Sequence, residues 1–454
     1  MKKALITALV IILCLPMFAF GQRNRMRDRS MYYSYGEKLY ADYFLQSAES
    51  PDSINILVSF RILFESISFK KDDRTGGYTA NPEAEIICRD ENNIIRKREM
   101  WRTNIHVDDY ETTASKEDYA FGSVDFNMPA GSYSIEIELL DMPDSRDNEY
   151  EFELDKKLDF SVAGMITPPV FGRLDSKGKL FEPFVLDNDI AFGAKNTEAI
   201  MGVSYRSPEE YEYSCAKIEK KGDKRVWGEE FTITGKANLM ERKILRIESC
   251  NNSGILYSIN ERNDNGGAVK QGLLSIDLPS VDMPPGDYRL KVFVEGIADT
   301  MTYNFRVRWH NMPLSLRSPE YAAEVMYYIL TEDKHDELDD GSEQEVFQKI
   351  IDYWEQFDPT PDTEFNEAMA TYFERVDHAF FNFQTLSQKD GAKTERGKIY
   401  ILHGQPDDIR KEHKEKMTKE IWTYKNLNKE FIFEMVSTGK YKLREIRSLQ
   451  SSSK

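Results

Sequence analysis

The spacing of apolar residues changes period once along this chain, and that change constrains the fold more than anything else in it. Ile54, Ile56, Val58, Phe60, Ile62 and Phe64 recur at every second position. Successive side chains of a strand point to opposite faces, so this period marks a buried sheet face. Leu57 and Leu63 add apolar weight on the other face, which predicts a strand covered on both sides. The phase then shifts to Ile67 and Phe69, as a bulge or a bend between sheets requires. Further strands are expected near Ala84–Cys88, Thr103–Val107, Phe121–Phe126, Ser132–Leu140 and Tyr150–Val162. Turn residues separate them, among them Gly76-Gly77, Asp90-Glu91-Asn92-Asn93 and Pro129-Ala130-Gly131. Many short strands at this spacing predict a β-sandwich over residues 51–163.

Ala163 to Pro169 reads as a linker, and a second β-rich stretch runs to Trp309. It echoes the first. Asn127-Met128-Pro129-Ala130-Gly131-Ser132-Tyr133 is matched by Asp282-Met283-Pro284-Pro285-Gly286-Asp287-Tyr288. In each case a Pro-x-Gly turn leads into an alternating strand, and one more strand follows. Two tandem Ig-like sandwiches, the second over 164–311, are the economical reading. Residues 22–50 are polar and Tyr-rich without a clear period, and are expected to form a loosely ordered leader.

After Trp309 the spacing becomes three to four. Ser318-Pro319 suits an N-cap and first helical position, and Ser342 with Glu345 forms a capping box. The helix it opens carries Val346, Phe347, Ile350, Trp354 and Phe357 on one face, and Pro359 and Pro361 stop it. Another helix is expected from about Glu364 to Phe383, with Met369, Tyr372, Phe373, Val376 and Phe380 in its stripe. A strand over Lys398–Leu402 and three more around Ile421–Tyr424, Phe431–Phe433 and Tyr441–Leu443 complete the pattern. Residues 312–450 therefore read as an α+β module, with helices on a small antiparallel sheet.

The first residues speak to destination. Lys2 and Lys3 precede an apolar run from Ala4 to Phe20, and Ala19 and Gly21 place small residues where a signal peptidase reads. A cleaved signal peptide over 1–21 follows, and with it secretion across the inner membrane to the periplasm or cell surface. No later run is long and apolar enough for a spanning helix, so the mature chain is expected to have none. The formal net charge of −18 makes nucleic acid a poor partner. Cys88, Cys215 and Cys250 remain after export. Cys215 with Cys250 is the one plausible disulfide in an oxidising compartment, and three buried thiols is the other reading.

Gly391-Ala392-Lys393-Thr394-Glu395, followed by Arg396-Gly397 and Gly404-Gln405-Pro406-Asp407-Asp408-Ile409, resembles the signature of the GWxTD-domain family of exported bacterial proteins. Trp354 to Pro361, Arg375-Val376, Ile421-Trp422-Thr423-Tyr424 and Gly439 to Leu443 are similar to its helical and closing segments. Ala392 stands where the family has its tryptophan, and Glu395 where it has aspartate. The resemblance implies architecture and an exported compartment. It implies no chemistry, because the family has no established activity.

The motif residues Gly391, Thr394, Glu395, Arg396, Gly397, Gly404, Pro406 and Asp407 are the candidates for a site. Capping and turn roles explain the same residue types without a substrate. Glu374 and His378 share a helix face but lack the further ligands a metal needs. Asp187-Asn188-Asp189 and Asn263-Asp264-Asn265-Gly266 complete no calcium loop and read as turns. There is no Gly-x-Ser-x-Gly elbow and no cysteine in the C-terminal module. No catalytic residue, metal or cofactor is expected. The preferred expectation is an exported, non-catalytic interaction or structural protein whose partner is an envelope protein or glycan. An envelope hydrolase working near the 391–408 motif, and a glycan-binding adhesin, are the alternatives.

Overall fold

The computed structural model describes residues 39–48, 53–74, 76–115, 117–140, 149–154, 159–218, 230–262, 267–294, 301–414, 417–437 and 439–449. The expected signal peptide, the first part of the leader and the turn at Asn263–Gly266 lie outside them. The described residues form two compact units, one ending at His310 and the other starting at Asn311.

The first unit is built from sheets. Leu39–Ser47, Ser53–Leu63 and Tyr119–Pro129 form a three-stranded antiparallel sheet with Ser53–Leu63 in the middle. The alternating residues Ile54, Ile56, Val58, Phe60 and Ile62 face one core with Ala84, Ile86, Ile135, Ile137 and Leu139. Those last residues belong to a four-stranded sheet in the order Glu149–Leu154, Tyr133–Leu140, Glu83–Asp90, Ile95–Arg102. The opposite face of the same central strand is buried too. Leu57, with Phe44, joins a second core containing Val170, Phe181, Ile200, Leu245, Tyr257 and Leu273. Apolar residues on both faces thus produce the doubly covered strand that their placement predicts.

The leader expectation fails at Leu39–Ser47. That segment is a buried strand, and Asp42 and Gln46 disguise its period. Both polar side chains are engaged. Gln46 donates to the Leu245 carbonyl at 2.7 Å and accepts from the Leu245 amide at 3.0 Å. The loop Asp187-Asn188 is bound to the same strand, with Asp187 accepting from the Ala41 amide and Asn188 from the Tyr43 amide, each at 3.2 Å. The side chains of this loop therefore serve as backbone partners.

Lys70–Lys71, Tyr78–Ala80 and Ile105–Val107 form a small three-stranded sheet, and the strands from Val170 to Arg308 form an eleven-stranded array that turns a corner. In Thr232–Glu241, the residues Thr232–Ala237 pair with Tyr211–Lys217, and Asn238–Glu241 pair with Lys270–Leu278. A strand that changes partner halfway is how two sheets share a corner. The internal echo is structural as well. Tyr133 donates its hydroxyl to the Pro129 carbonyl at 2.8 Å, and Tyr288 donates to the Pro284 carbonyl at 2.7 Å. Tyr133 opens Tyr133–Leu140 and Tyr288 is the third residue of Gly286–Val294, and each strand pairs antiparallel with the next one in the chain, Glu149–Leu154 and Met301–Arg308.

Cys215 and Cys250 are not bonded; both are free thiols, as is Cys88. Cys215 lies in Tyr211–Lys217, between two neighbouring strands, while Cys250 lies in Lys243–Asn251, the terminal strand of the array. Burial pushes the thiols of Cys88 and Cys215 up to about 12 and that of Cys250 up to about 11. They behave as small core side chains.

The second unit begins with short helices. Ser318 caps Pro319–Val325, Glu332–Asp339 follows, and the Ser342–Glu345 capping box opens Glu343–Glu355. Asn366 caps Glu367–Asn382 by accepting from the Met369 amide at 2.9 Å. Asp408–Lys414, Met417–Tyr424, Lys429–Ser437 and Lys440–Ser448 make a four-stranded antiparallel sheet in sequence order. The strand expected at Lys398–Leu402 is instead part of a helix, Glu395–His403. Its Ile-Tyr-Ile alternation suits a strand, but Thr394 caps the first turn and Ile399 packs on Trp422, Tyr424, Phe431 and Phe433. Tertiary packing has overridden local preference. Among the described residues no helix is long and apolar enough to cross a membrane.

Candidate functional site

The motif residues occupy the two ends of the helix Glu395–His403. At its start, Thr394 accepts from the Gly397 amide at 3.0 Å and donates to the Gly391 carbonyl at 2.7 Å. Two glycines permit a crossing too tight for side chains. A Cβ on Gly391 would lie 2.2 Å from the Ala379 carbonyl oxygen, and one on Gly397 would lie 2.1 Å from the Gly391 oxygen. Ala392 is fully buried, and its carbonyl accepts from the Tyr328 hydroxyl at 3.0 Å. A tryptophan platform for binding has no room there in this chain.

The charged members of the motif are engaged as well. The Glu395 carboxylate accepts from the Leu443 amide and ties the helix to the last strand. Arg396 lies against the Tyr441 ring, 4.3 Å from its centroid, and reaches the buried Glu420 at 3.4 Å. Glu420 in turn accepts from the Trp422 indole at 2.7 Å. This chain of contacts pins the helix to the sheet. Nearby, Asp390 accepts from the Tyr321 hydroxyl and the Ala392 amide, and burial raises its pKa despite the Lys393 charge beside it.

At the other end, Gly404 ends the helix at φ +77°, and its carbonyl accepts from the Tyr424 hydroxyl at 2.8 Å. Pro406 is buried, and the Asp407 carboxylate accepts from the Lys425 amide at 2.7 Å. A nine-residue helix separates the two groups, roughly 13 Å at 1.5 Å per residue. The motif residues therefore do not converge on one point. Their hydrogen bonds go mainly to backbone, which is the work of a scaffold. His378 and His403 also pack: His378 stacks on Tyr400 at 4.2 Å, and burial lowers the pKa of His403 beside Phe431 and Tyr424. Among the described residues no three His, Cys, Asp or Glu side chains gather as a metal site.

What the motif scaffolds is a cleft that sequence reasoning missed. Its volume is about 380 Å³. Ile401 and Leu402 of the motif helix form one wall, and Trp354 of the capping-box helix another. Glu367, Ala368, Thr371, Tyr372 and Arg375 line it from the helix Glu367–Asn382, with Ile329 and Pro359 at the margins. Trp354 is held by its neighbours: its ring meets Tyr372 at 5.1 Å, and its carbonyl accepts from Asn366 at 2.7 Å. Its Nε1–H is buried and has no acceptor. The one signal in the sequence was an arginine bordering an otherwise apolar helix stripe, four residues after Thr371.

An α+β module in which a glycine-rich, threonine-capped helix braces a four-stranded sheet is the class these features define. Within it, residues 292–452 match the family model of the GWxTD domain, so this chain carries a GWxTD domain. The match takes in the last strand of the β-rich unit, Met301–Arg308, besides the whole of the second unit's described part. No curated protein matches the chain.

Proposed function

We propose that this is an exported, non-catalytic binding protein of the bacterial cell envelope. In this reading two Ig-like sandwiches in tandem act as spacer or binding modules, and the GWxTD module docks an envelope protein. One observation carries the docking role: Thr394, Glu395, Arg396 and Asp407 are bound to backbone or to a buried carboxylate, whereas Arg375 at the adjacent cleft makes no hydrogen bond and no ion pair among the described residues. Reactive groups so engaged are poorly placed for hydrolysis, and an unpaired guanidinium at the edge of an apolar cleft favours a ligand that brings an anionic group. The Ig-like reading is supported by the paired Tyr133 and Tyr288 bonds to proline carbonyls, since a tyrosine bonded back to upstream backbone is a recurrent corner of such sandwiches. Export rests on the apolar leader from Ala4 to Phe20 behind Lys2 and Lys3.

A photo-crosslinking residue placed at Thr371, on the exposed lip of the cleft, tests this in the native host. The expected result is an envelope-fraction chain beginning at Gln22, with one discrete crosslinked protein. The same group at the exposed Tyr110 of the β-rich unit gives no such product. A cytosolic chain that keeps Met1, or equal crosslinking from both positions, counts against the proposal.

A further inference from the structure

The charges around the GWxTD cleft select its occupant. Glu367 and Arg375 stand eight residues apart on one helix, about 12 Å at 1.5 Å per residue. Between them the walls are apolar, with Tyr372, Ile401 and Leu402. Glu367 already accepts from the Thr360 hydroxyl at 2.6 Å. Arg375 differs: among the described residues its guanidinium makes no hydrogen bond and no ion pair. It lies over Gly404, where an added Cβ would sit 3.1 Å from its Cζ. The absent side chain leaves room for the guanidinium at the cleft's edge. Trp354 lines the same cleft, only 7% exposed, with its Nε1–H lacking an acceptor. The cleft therefore has apolar walls, with an unpaired cation at one end and a carboxylate at the other.

Building on the docking role proposed above, we infer that this cleft binds the carboxyl terminus of a partner polypeptide. The terminal carboxylate sits on Arg375, whose planar fork matches two carboxylate oxygens. The last apolar side chain lies against Ile401, Leu402 and Tyr372. About 12 Å accommodates three to four extended residues at roughly 3.3 Å each, so Glu367 faces the residue three to four positions before the terminus and favours a basic one. Thr371 and Pro359 are exposed, which leaves the chain an exit along one side. A fatty acid offers the same carboxylate and apolar body but no cation for Glu367.

The test uses the full mature chain and a fluorescein-labelled hexapeptide, Ser-Gly-Lys-Ala-Ala-Leu, as free acid and as amide, read by anisotropy. The acid is expected to bind about tenfold more tightly than the amide, the factor a single charge-assisted carboxylate contact supplies. Arg375→Met erases that difference, and Arg375→Lys restores part of it. Thr371→Trp, on the exposed lip, blocks the acid while leaving the thermal unfolding curve in place, which guards against a folding artefact. Equal affinity for acid and amide, or discrimination that survives Arg375→Met, overturns the inference. So does decanoate binding by a chain that takes no hexapeptide at about 1 mM. A specific crosslink from Thr371 without peptide binding sinks this inference alone. Peptide binding without any envelope crosslink sinks the docking role instead.

Discussion

Asp42 shows what one buried carboxyl does to this chain. Its Oδ1 accepts from the Leu186 amide at 2.9 Å and the Asn188 amide at 2.7 Å, and its Oδ2 has no partner. Burial outweighs those amides and holds its pKa up at about 7. The native carboxyl therefore keeps a proton that the unfolded chain has released. Its stabilising effect is full below the unfolded value of 3.8 and is lost as pH rises toward 7. Asp189, raised by burial to about 6 despite Arg306 and Arg308, adds in the same direction. His310 opposes both: burial, helped by Arg61, lowers it to about 3, so its neutral form loses stability as pH falls below 6.5. Comparing wild type with Asp42→Asn isolates the one group. The variant's stability relative to wild type should rise between about pH 4 and pH 8, by up to about 4 kcal/mol at 1.36 kcal/mol per pKa unit. Urea unfolding across that range measures it, and a pH-independent gap would discredit the assignment. None of this was legible in the sequence. Asp42 meets Leu186 across 144 residues, and local patterning carries no information at that range.

The helix Glu395–His403 marks where local reading succeeds and where it fails. Caps were legible because they are local: Ser318, Ser342 and Glu345 act where their spacing places them. The turn chemistry of Thr394, Gly397 and Gly404 was legible for the same reason. The type of the element between them was not. Ile399, Tyr400 and Ile401 alternate over too few residues to separate strand from helix. Burial of Ile399 against the sheet and the stacking of Tyr400 on His378 decide it. The cleft was missed for a related reason, since its walls come from three helices whose mutual packing no periodicity encodes. Thr394 bridges two segments, so its loss should be felt beyond the cap. Thr394→Ala is expected to destabilise this helix by about 1–2 kcal/mol, near the upper end for N-caps, while Thr394→Ser retains most of the stability. Amide exchange at Lys398–Leu402 reports it: faster exchange in the alanine variant is expected, and unchanged protection would mean that the cap contributes nothing.

At the scale of the whole molecule, the described residues divide into two units after His310. The linker expected at Ala163–Pro169 does not divide the described residues in the same way. The reason lies in one strand. Ser53–Leu63 gives its alternating face to the first core and Leu57 to the second, and Leu39–Ser47 contributes Leu39 and Leu45 to one and Phe44 to the other. Two cores that share a sheet cannot be lost one at a time without exposing the face of the other, so they should unfold together. The second unit has its own core around Trp422 and Phe433. Units with separate cores unfold as separate cooperative transitions. The mature chain should therefore show two transitions rather than three. Asp42→Asn should shift only the one belonging to the β-rich unit, and Thr394→Ala only the other. Because Cys88, Cys215 and Cys250 are free, a reducing agent should move neither. Scanning calorimetry of the three chains, with and without reductant, distinguishes the cases. A single transition displaced equally by both substitutions would show that the molecule has one cooperative core.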